Sequence, residues 1–296
     1  MVNIPSSMRT RALGHELVGL RKAAGYNGVE MARKLGWEGS RLSRIENGRY
    51  NTSEVDVTQY ATLLGQSRPV LDNLLTMLRQ SDDGFVVQPH GVRLHDQLHT
   101  FIRHETSSRI IHNFQLSVVP GLLQTKKYAR ALMTGSKFAV AEHIDGLVHA
   151  RLARQAIFNR PLQPACVFYI HEFALRLPVG GNRTMNDQVM RLAFMANAHQ
   201  VSIRIIPMER GAYPGIGAGG FTVMDHADEQ RLPVVSVEFI GGTLFMDDHS
   251  SIGAHQEVLA EFDRIALDRR ESQAWLVKLA NEYDRPSGSS EVANLT

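Results

Sequence analysis

Through residues 11–78, apolar positions recur at helical spacing and turn residues interrupt them at short intervals. Leu13, Leu17, Leu20 and Ala24 form a first stripe over 11–24, and Gly25 follows as a stop signal. Asn27 is placed to cap a second helix over 28–35, with Met31, Ala32 and Leu35 as its inner face. Gly36-Trp37-Glu38-Gly39 then turns the chain. In the next run, 40–48, Leu42 and Ile45 share one helical face; Ser40, Ser43, Arg44 and Asn47 point away from it, and Arg41 lies at the flank. Ser53 opens a fourth helix through Leu64, with Asp56 completing a capping box and Val57, Tyr60, Ala61 and Leu64 facing inward. A fifth stripe covers 70–78. So short a turn between the second and third helices makes them cross steeply, as in a helix-turn-helix.

The pattern then changes. Ser81-Asp82-Asp83-Gly84 breaks the fifth helix, and 81–92, with Pro89 and Gly91, reads as a linker. Beyond it helices and strands mix. A helix over 94–107 carries Leu94, Leu98, Phe101 and Ile102, a strand occupies 109–116, and Thr125 caps a helix over 126–133. A longer helix, 140–159, sets Arg151, Arg154 and Gln155 opposite Ile144, Leu147, Val148, Leu152 and Ile157. Runs 167–170, 201–206, 221–224, 234–239 and 243–246 read as strands, and 185–198 (capped by Thr184), 252–266 and 270–283 as helices. The predicted fold is α+β: an all-α head (1–80), a linker (81–92), a mixed α+β body (93–285) and a Ser/Gly-rich disordered tail (286–296). The polar stretch 1–10 is expected to be a loose arm.

Composition narrows the function. With 296 residues, 43 % of them hydrophobic, the chain has material for about two cored domains. Its one cysteine, Cys166, excludes an internal disulfide framework and is expected to be buried within 165–170. No segment approaches the ~18–20 consecutive apolar residues of a membrane helix, and no leader is evident, so a cytoplasmic protein is expected. Charge is uneven: residues 1–80 hold eleven Lys and Arg against seven Asp and Glu, whereas 81–296 hold 21 against 23. A basic head on a slightly acidic body points to phosphate, and arginine can also pair with a guanine edge.

Arg21, Ala32, Leu35-Gly36, Leu42, Ile45-Glu46-Asn47-Gly48 and Leu64-Gly65 together resemble the XRE family of phage-repressor-like helix-turn-helix proteins. The resemblance implies that Ser40 and Arg44 read bases, that Asn47 and Arg49 touch phosphate, and that Arg21 and Glu46 form an ion pair tying the first helix to the end of the third. With Arg41 and Ser43 on the same helix, the expected DNA-binding set is Arg21, Ser40, Arg41, Ser43, Arg44, Asn47 and Arg49. Two positions depart from the pattern, Gly28 where a glutamine is usual and Gly39 at a frequent base-contacting position. That shifts the expected load onto Arg41 and Arg44.

Val119-Pro120-Gly121-Leu122-Leu123-Gln124-Thr125 with Tyr128-Ala129, followed by Arg151-Leu152-Ala153-Arg154-Gln155, resembles the second domain of WhiJ-type regulators of streptomycetes and related actinobacteria. That likeness covers most of 94–284. It implies a small partner protein encoded nearby and a role in gene control. The expected partners are therefore duplex DNA, a second copy of the chain in a homodimer, and such a small protein, with no membrane.

Several features that could signal an enzyme have plainer explanations. Gly215-Ile216-Gly217-Ala218-Gly219-Gly220 follows Tyr213-Pro214 instead of a strand and leads into a strand instead of a helix, so it lacks the helix N-terminus of a phosphate loop. His104-Glu105 and His171-Glu172 have Ser108 and Leu175 where a zinc helix needs a second histidine. Glu172, Glu238, Asp247 and Asp248 are acidic positions at or near strand ends. No catalytic residue, metal or cofactor is assigned, and the expectation is a regulator and not an enzyme. The rival is a body that is itself an enzyme or small-molecule receptor, with the head as its address.

Overall fold

The computed structural model describes residues 7–79, 85–89, 94–135, 143–227, 231–239 and 242–284. In chain order the elements are α1 (Met8–Ala23), α2 (Gly28–Leu35), α3 (Gly39–Glu46), α4 (Glu54–Leu63), α5 (Arg68–Arg79), β1 (Phe85–Pro89), α6 (Leu94–Ser107), β2 (Ser108–Gln115), α7 (Lys126–Thr134) and α8 (Ile144–Arg154). There follow β3 (Ala165–His171), α9 (Glu172–Arg176), α10 (Asn182–Met195), β4 (Val201–Ile206), β5 (Phe221–His226), β6 (Val234–Phe239), β7 (Gly242–Met246), α11 (His249–Ile265) and α12 (Arg269–Asp284). The fold is α+β, a helical N-terminal part followed by mixed helix and sheet. Among the described residues no helix is long and apolar enough to cross a membrane.

Two compact units divide the chain: 1–89 with 226–254, and 90–225 with 255–296. In the first, α1 to α5 enclose a core of Leu13, Leu17, Met31, Ala32, Leu35, Leu42, Ile45, Val57, Tyr60, Ala61 and Leu74. Periodicity picks out these positions, but Ala24, expected on the same stripe, ends α1 and is exposed, and Trp37, expected only in a turn, joins the core. The expected caps are present: Asn27 and Glu30 form a reciprocal capping box on α2, and Ser53 and Asp56 form another on α4.

Three expectations need correction here. Helix α1 begins at Met8, with Ser7 accepting from the Thr10 N–H, so the expected loose arm already turns helical before residue 10. The linker expected over 81–92 contains strand β1, paired antiparallel with β7 from Phe85 opposite Met246 to Pro89 opposite Gly242; 81–84 and 90–92 lie outside the described residues. Pro89 stands at the end of that strand, where its missing N–H costs little. Strand β7 pairs antiparallel with β6, so 226–254 groups with the head and not with the body. Local turn chemistry marks where a helix stops, but pairing over 150 residues away is invisible to it.

In the second unit four strands run in the order β5-β2-β3-β4, and β2, β3 and β4 are parallel. Parallel neighbours require crossovers, supplied by α7 and α8 between β2 and β3, and by α9 and α10 between β3 and β4. The expected helix over 140–159 is α8 from Ile144, followed by a 3₁₀ segment from Gln155 to Asn159; 136–142 lie outside the described residues. Helix α10 starts at Asn182, ahead of the expected Thr184 cap. Of the predicted face of α6, Phe101 is buried, while the Leu94 and Leu98 side chains lie outside the described residues, as does the tail 286–296. Phe114, Tyr169, Tyr213 and Phe221 surround Phe262 of α11 with ring centroids 4.5 to 6.2 Å away. Cys166 sits in β3, where burial pushes its thiol up to about 12.

Candidate nucleic-acid interface

The turn between α2 and α3 is three residues long. Gly36 closes α2 in the left-handed region at φ 68°, and Trp37 then sends its N–H back to the Ala32 carbonyl at 2.9 Å. Glu38 precedes α3 without a side-chain cap; its carboxylate accepts instead from the Ser40 hydroxyl at 3.3 Å. Leu42 and Ile45 are buried, while Ser40, Ser43 and Asn47 are exposed. Helix α3 therefore displays one polar side and anchors the other.

The anchor at its end is ionic. Glu46 accepts from Arg21 Nε at 2.7 Å and Arg21 Nη2 at 2.9 Å, a two-pronged pair with both side chains about nine-tenths buried. The third donor of the same guanidinium, Nη1, reaches the Tyr26 carbonyl at 2.9 Å. The Tyr60 hydroxyl lies 2.7 Å from Glu46 Oε1 and 3.0 Å from the Leu17 carbonyl, so its one proton serves those two acceptors. Burial first, and then the Glu46 carboxylate, push the Tyr60 phenol far up, so it stays a neutral donor. Backbone contact tightens the same joint. A Cβ on Gly14 would overlap the Glu46 carbonyl, and one on Gly48, at φ 67°, would come within 2.5 Å of the Arg11 N. Helix α1 thus lies directly against the end of α3.

This geometry sorts the expected site residues. The Arg21–Glu46 pair implied by the resemblance is present, and it commits Arg21 inside the fold. Ser40, Ser43 and Asn47 stand on the exposed side; Asn47 Nδ2 donates to the Ser43 carbonyl at 2.7 Å. Arg44 and Arg49 are half-buried, one turn apart, joined through the Arg49 N–H to the Arg44 carbonyl at 2.7 Å. Arg41, expected among the presented residues, is instead bound: its Nη2 donates to Asp56 Oδ1 at 2.6 Å, and its guanidinium lies 4.6 Å from the Trp37 ring centroid. Asp56 has only 8 % of its side chain exposed and is itself held by the Ser53 N–H and hydroxyl, each at 2.9 Å.

Sequence reasoning did not foresee three participants: Trp37, Tyr50 and Asp56. Two aromatic residues flanking an arginine-bearing helix were visible as residue types, but their convergence depends on the turn at Gly36 and on how α4 docks. Arg9, the one basic residue within 1–10, and Arg11 just after it are also engaged; Arg9 Nε donates to the Met77 carbonyl at 2.8 Å and Arg11 pairs with Asp247 at 3.0 Å.

Two family models match the chain. One, described as a helix-turn-helix domain, covers residues 12–74; the other, described as a domain of unknown function (DUF5753), covers 98–278. No curated protein matches it.

Proposed function

The chain belongs to the DUF5753 family, and from that premise, with a helix-turn-helix domain at its N-terminus, we propose that it is a sequence-specific DNA-binding transcriptional regulator. The observation that carries this reading is the construction of α3: its inner face and its end are locked by Leu42, Ile45 and the Arg21–Glu46–Tyr60 cluster, while Ser40, Ser43, Arg44 and Asn47 remain on the other side. A short helix held this firmly can enter a major groove without reorganising. Ser40, Ser43 and Arg44 then face base edges, and Asn47 and Arg49 face phosphate. Arg21 serves by position and not by contact.

One such helix reads only a few base pairs, so the regulator acts as a homodimer on two half-sites about one helical turn apart. The DUF5753 domain pairs the heads and senses a small partner protein or ligand. The finer assignment, an XRE-type head on a WhiJ-type actinobacterial regulator working in the cytoplasm, rests on the residues quoted for that resemblance.

The test is selection of the full-length protein on a randomised duplex library, with light scattering on the complex. Enrichment of a two-fold repeat, bound by two chains, is expected. Arg44→Ala then weakens the selected duplex more than a scrambled one, whereas Arg49→Ala weakens both alike. A chain that enriches no sequence at low salt, or one that binds the repeat tightly as a monomer, overturns the reading.

A further inference from the structure

We infer that Arg41 is a positioning residue held off the DNA, the fixed rung of a Trp37–Arg41–Tyr50–Arg44 ladder that aims Arg44 as the arginine that reads bases. This rests on the DNA-binding reading above and goes beyond it by dividing labour between two arginines one turn apart on α3.

Four observations support the ladder. The Arg41 guanidinium lies 4.6 Å from the Trp37 centroid and 5.5 Å from that of Tyr50, and the Arg44 guanidinium lies 5.8 Å from the same Tyr50 ring. Trp37 is fixed, 9 % exposed, with its ring 6.3 Å from that of buried Tyr60. Asp56 neutralises Arg41 at 2.6 Å, so two arginines can share one aromatic ring without presenting two full charges to each other. Arg44, by contrast, has no hydrogen-bond or ion-pair partner for its guanidinium among the described residues, and its Nε is already buried. Its neighbour on the ladder sets its direction, and a base edge can supply acceptors to its terminal Nη groups.

Using Arg41 as a reader would cost twice. Its departure would strip a buried carboxylate of its cation, and it would leave that negative charge beside the phosphates. Arg44 meets neither obstacle.

The experiment uses the full chain and the duplex that the wild type enriches from a randomised library, with fluorescence anisotropy at several salt concentrations and a melting curve for each variant. Arg44→Ala is expected to reduce preference for the enriched duplex over a scrambled one by ~10- to 100-fold. Arg41→Lys keeps a cation for Asp56 but loses the planar stacking face; it is expected to lose preference at the base read by Arg44 while the slope of log affinity against log salt stays as in the wild type. Tyr50→Phe should retain the preference and Tyr50→Leu should lose part of it, about 5-fold, at an unchanged salt slope. If Arg41→Lys keeps full preference while Arg41→Ala flattens the salt slope by about one, Arg41 touches DNA directly and the ladder is wrong. Equal preference in wild type and Tyr50→Leu also overturns it. A wild type that enriches nothing defeats the DNA-binding reading itself, a result distinct from either of these.

Discussion

The two units bury polar groups in contrasting ways. In the first unit they include the ion pairs Arg21 with Glu46 and Arg11 with Asp247, and Asp56 with an Arg41 whose own side chain is 34 % exposed. In the second unit one ion pair, Arg154 with Glu105, is buried as deeply, and beside it amides gather around the 3₁₀ turn Gly121–Leu123. Gln124, fully buried, donates to the Val119 carbonyl at 2.7 Å, and its Oε1 accepts from Arg151 at 3.1 Å. Gln155 donates to the Gln124 carbonyl at 2.7 Å and accepts from Arg191 at 2.8 Å. Gln188 donates to the Leu123 carbonyl and accepts from the Thr125 N–H. An irregular turn under α7, α8 and α10 leaves backbone groups that no ladder can pair; the amides satisfy them, and Arg151 and Arg191 in turn fill the amide oxygens of Gln124 and Gln155. In the head the pairs also join elements: Arg21 with Glu46 ties α1 to the end of α3, and Arg41 with Asp56 ties α3 to α4.

That contrast predicts its largest effect at Arg21. Arg21→Ala leaves Glu46 buried with Tyr60 as its remaining side-chain donor, and uncompensated buried charge costs about 3–5 kcal/mol in urea unfolding. The paired change Arg21→Met with Glu46→Leu removes the charge together with its partner and should recover most of that stability, yet fail to restore DNA affinity. Recovery of both would mean that the pair serves stability alone and does nothing for the placement of α3.

Gln124→Leu is the next largest. It orphans the buried Val119 carbonyl and removes the Arg151 contact, a loss of about 2–3 kcal/mol. Affinity for the enriched duplex should stay within about twofold once the variant is folded. A larger drop would couple the turn to the head, sharpening the sensing role proposed for this domain.

The same contrast explains what could be read before the structure. Helices α2 to α5 follow from periodicity, and the caps of α2 and α4 from capping chemistry, because the deciding contacts are within a few residues of each other. Strands β4 and β6 were legible from their β-branched runs and from Pro207 and Pro233, which bound them. The partnership of β1 with β7 was not, since a Pro-containing stretch and a distant hairpin carry no mutual signal. At the site, Leu42 and Ile45 against Ser40, Ser43 and Asn47 was a matter of helical phase. The capture of Arg41 by Asp56 was not; Asp56 was recognisable as the capping partner of Ser53, and one carboxylate doing both tasks depends on how α4 meets α3.

The smallest effect tests the polar accounting of the second unit at its edge. Tyr213 is 7 % exposed, its ring packs edge-on against Phe262 at 5.7 Å and lies 6.1 Å from that of His171, and its hydroxyl is buried without a hydrogen-bond partner among the described residues. Burial alone pushes the phenol up to about 12. The unfolded chain hydrates this hydroxyl and the folded chain does not, so it costs folding free energy where the Gln124 amide contributes it. Tyr213→Phe keeps the ring contacts and deletes the orphan; it should raise stability by up to ~1 kcal/mol, a rise in melting temperature of about 2 °C. A fall of that size instead would mean the hydroxyl is engaged by an ordered water or a bound molecule beneath the glycine-bearing loop 215–220, and the second unit would then hold a polar group kept for a ligand and not for its own backbone.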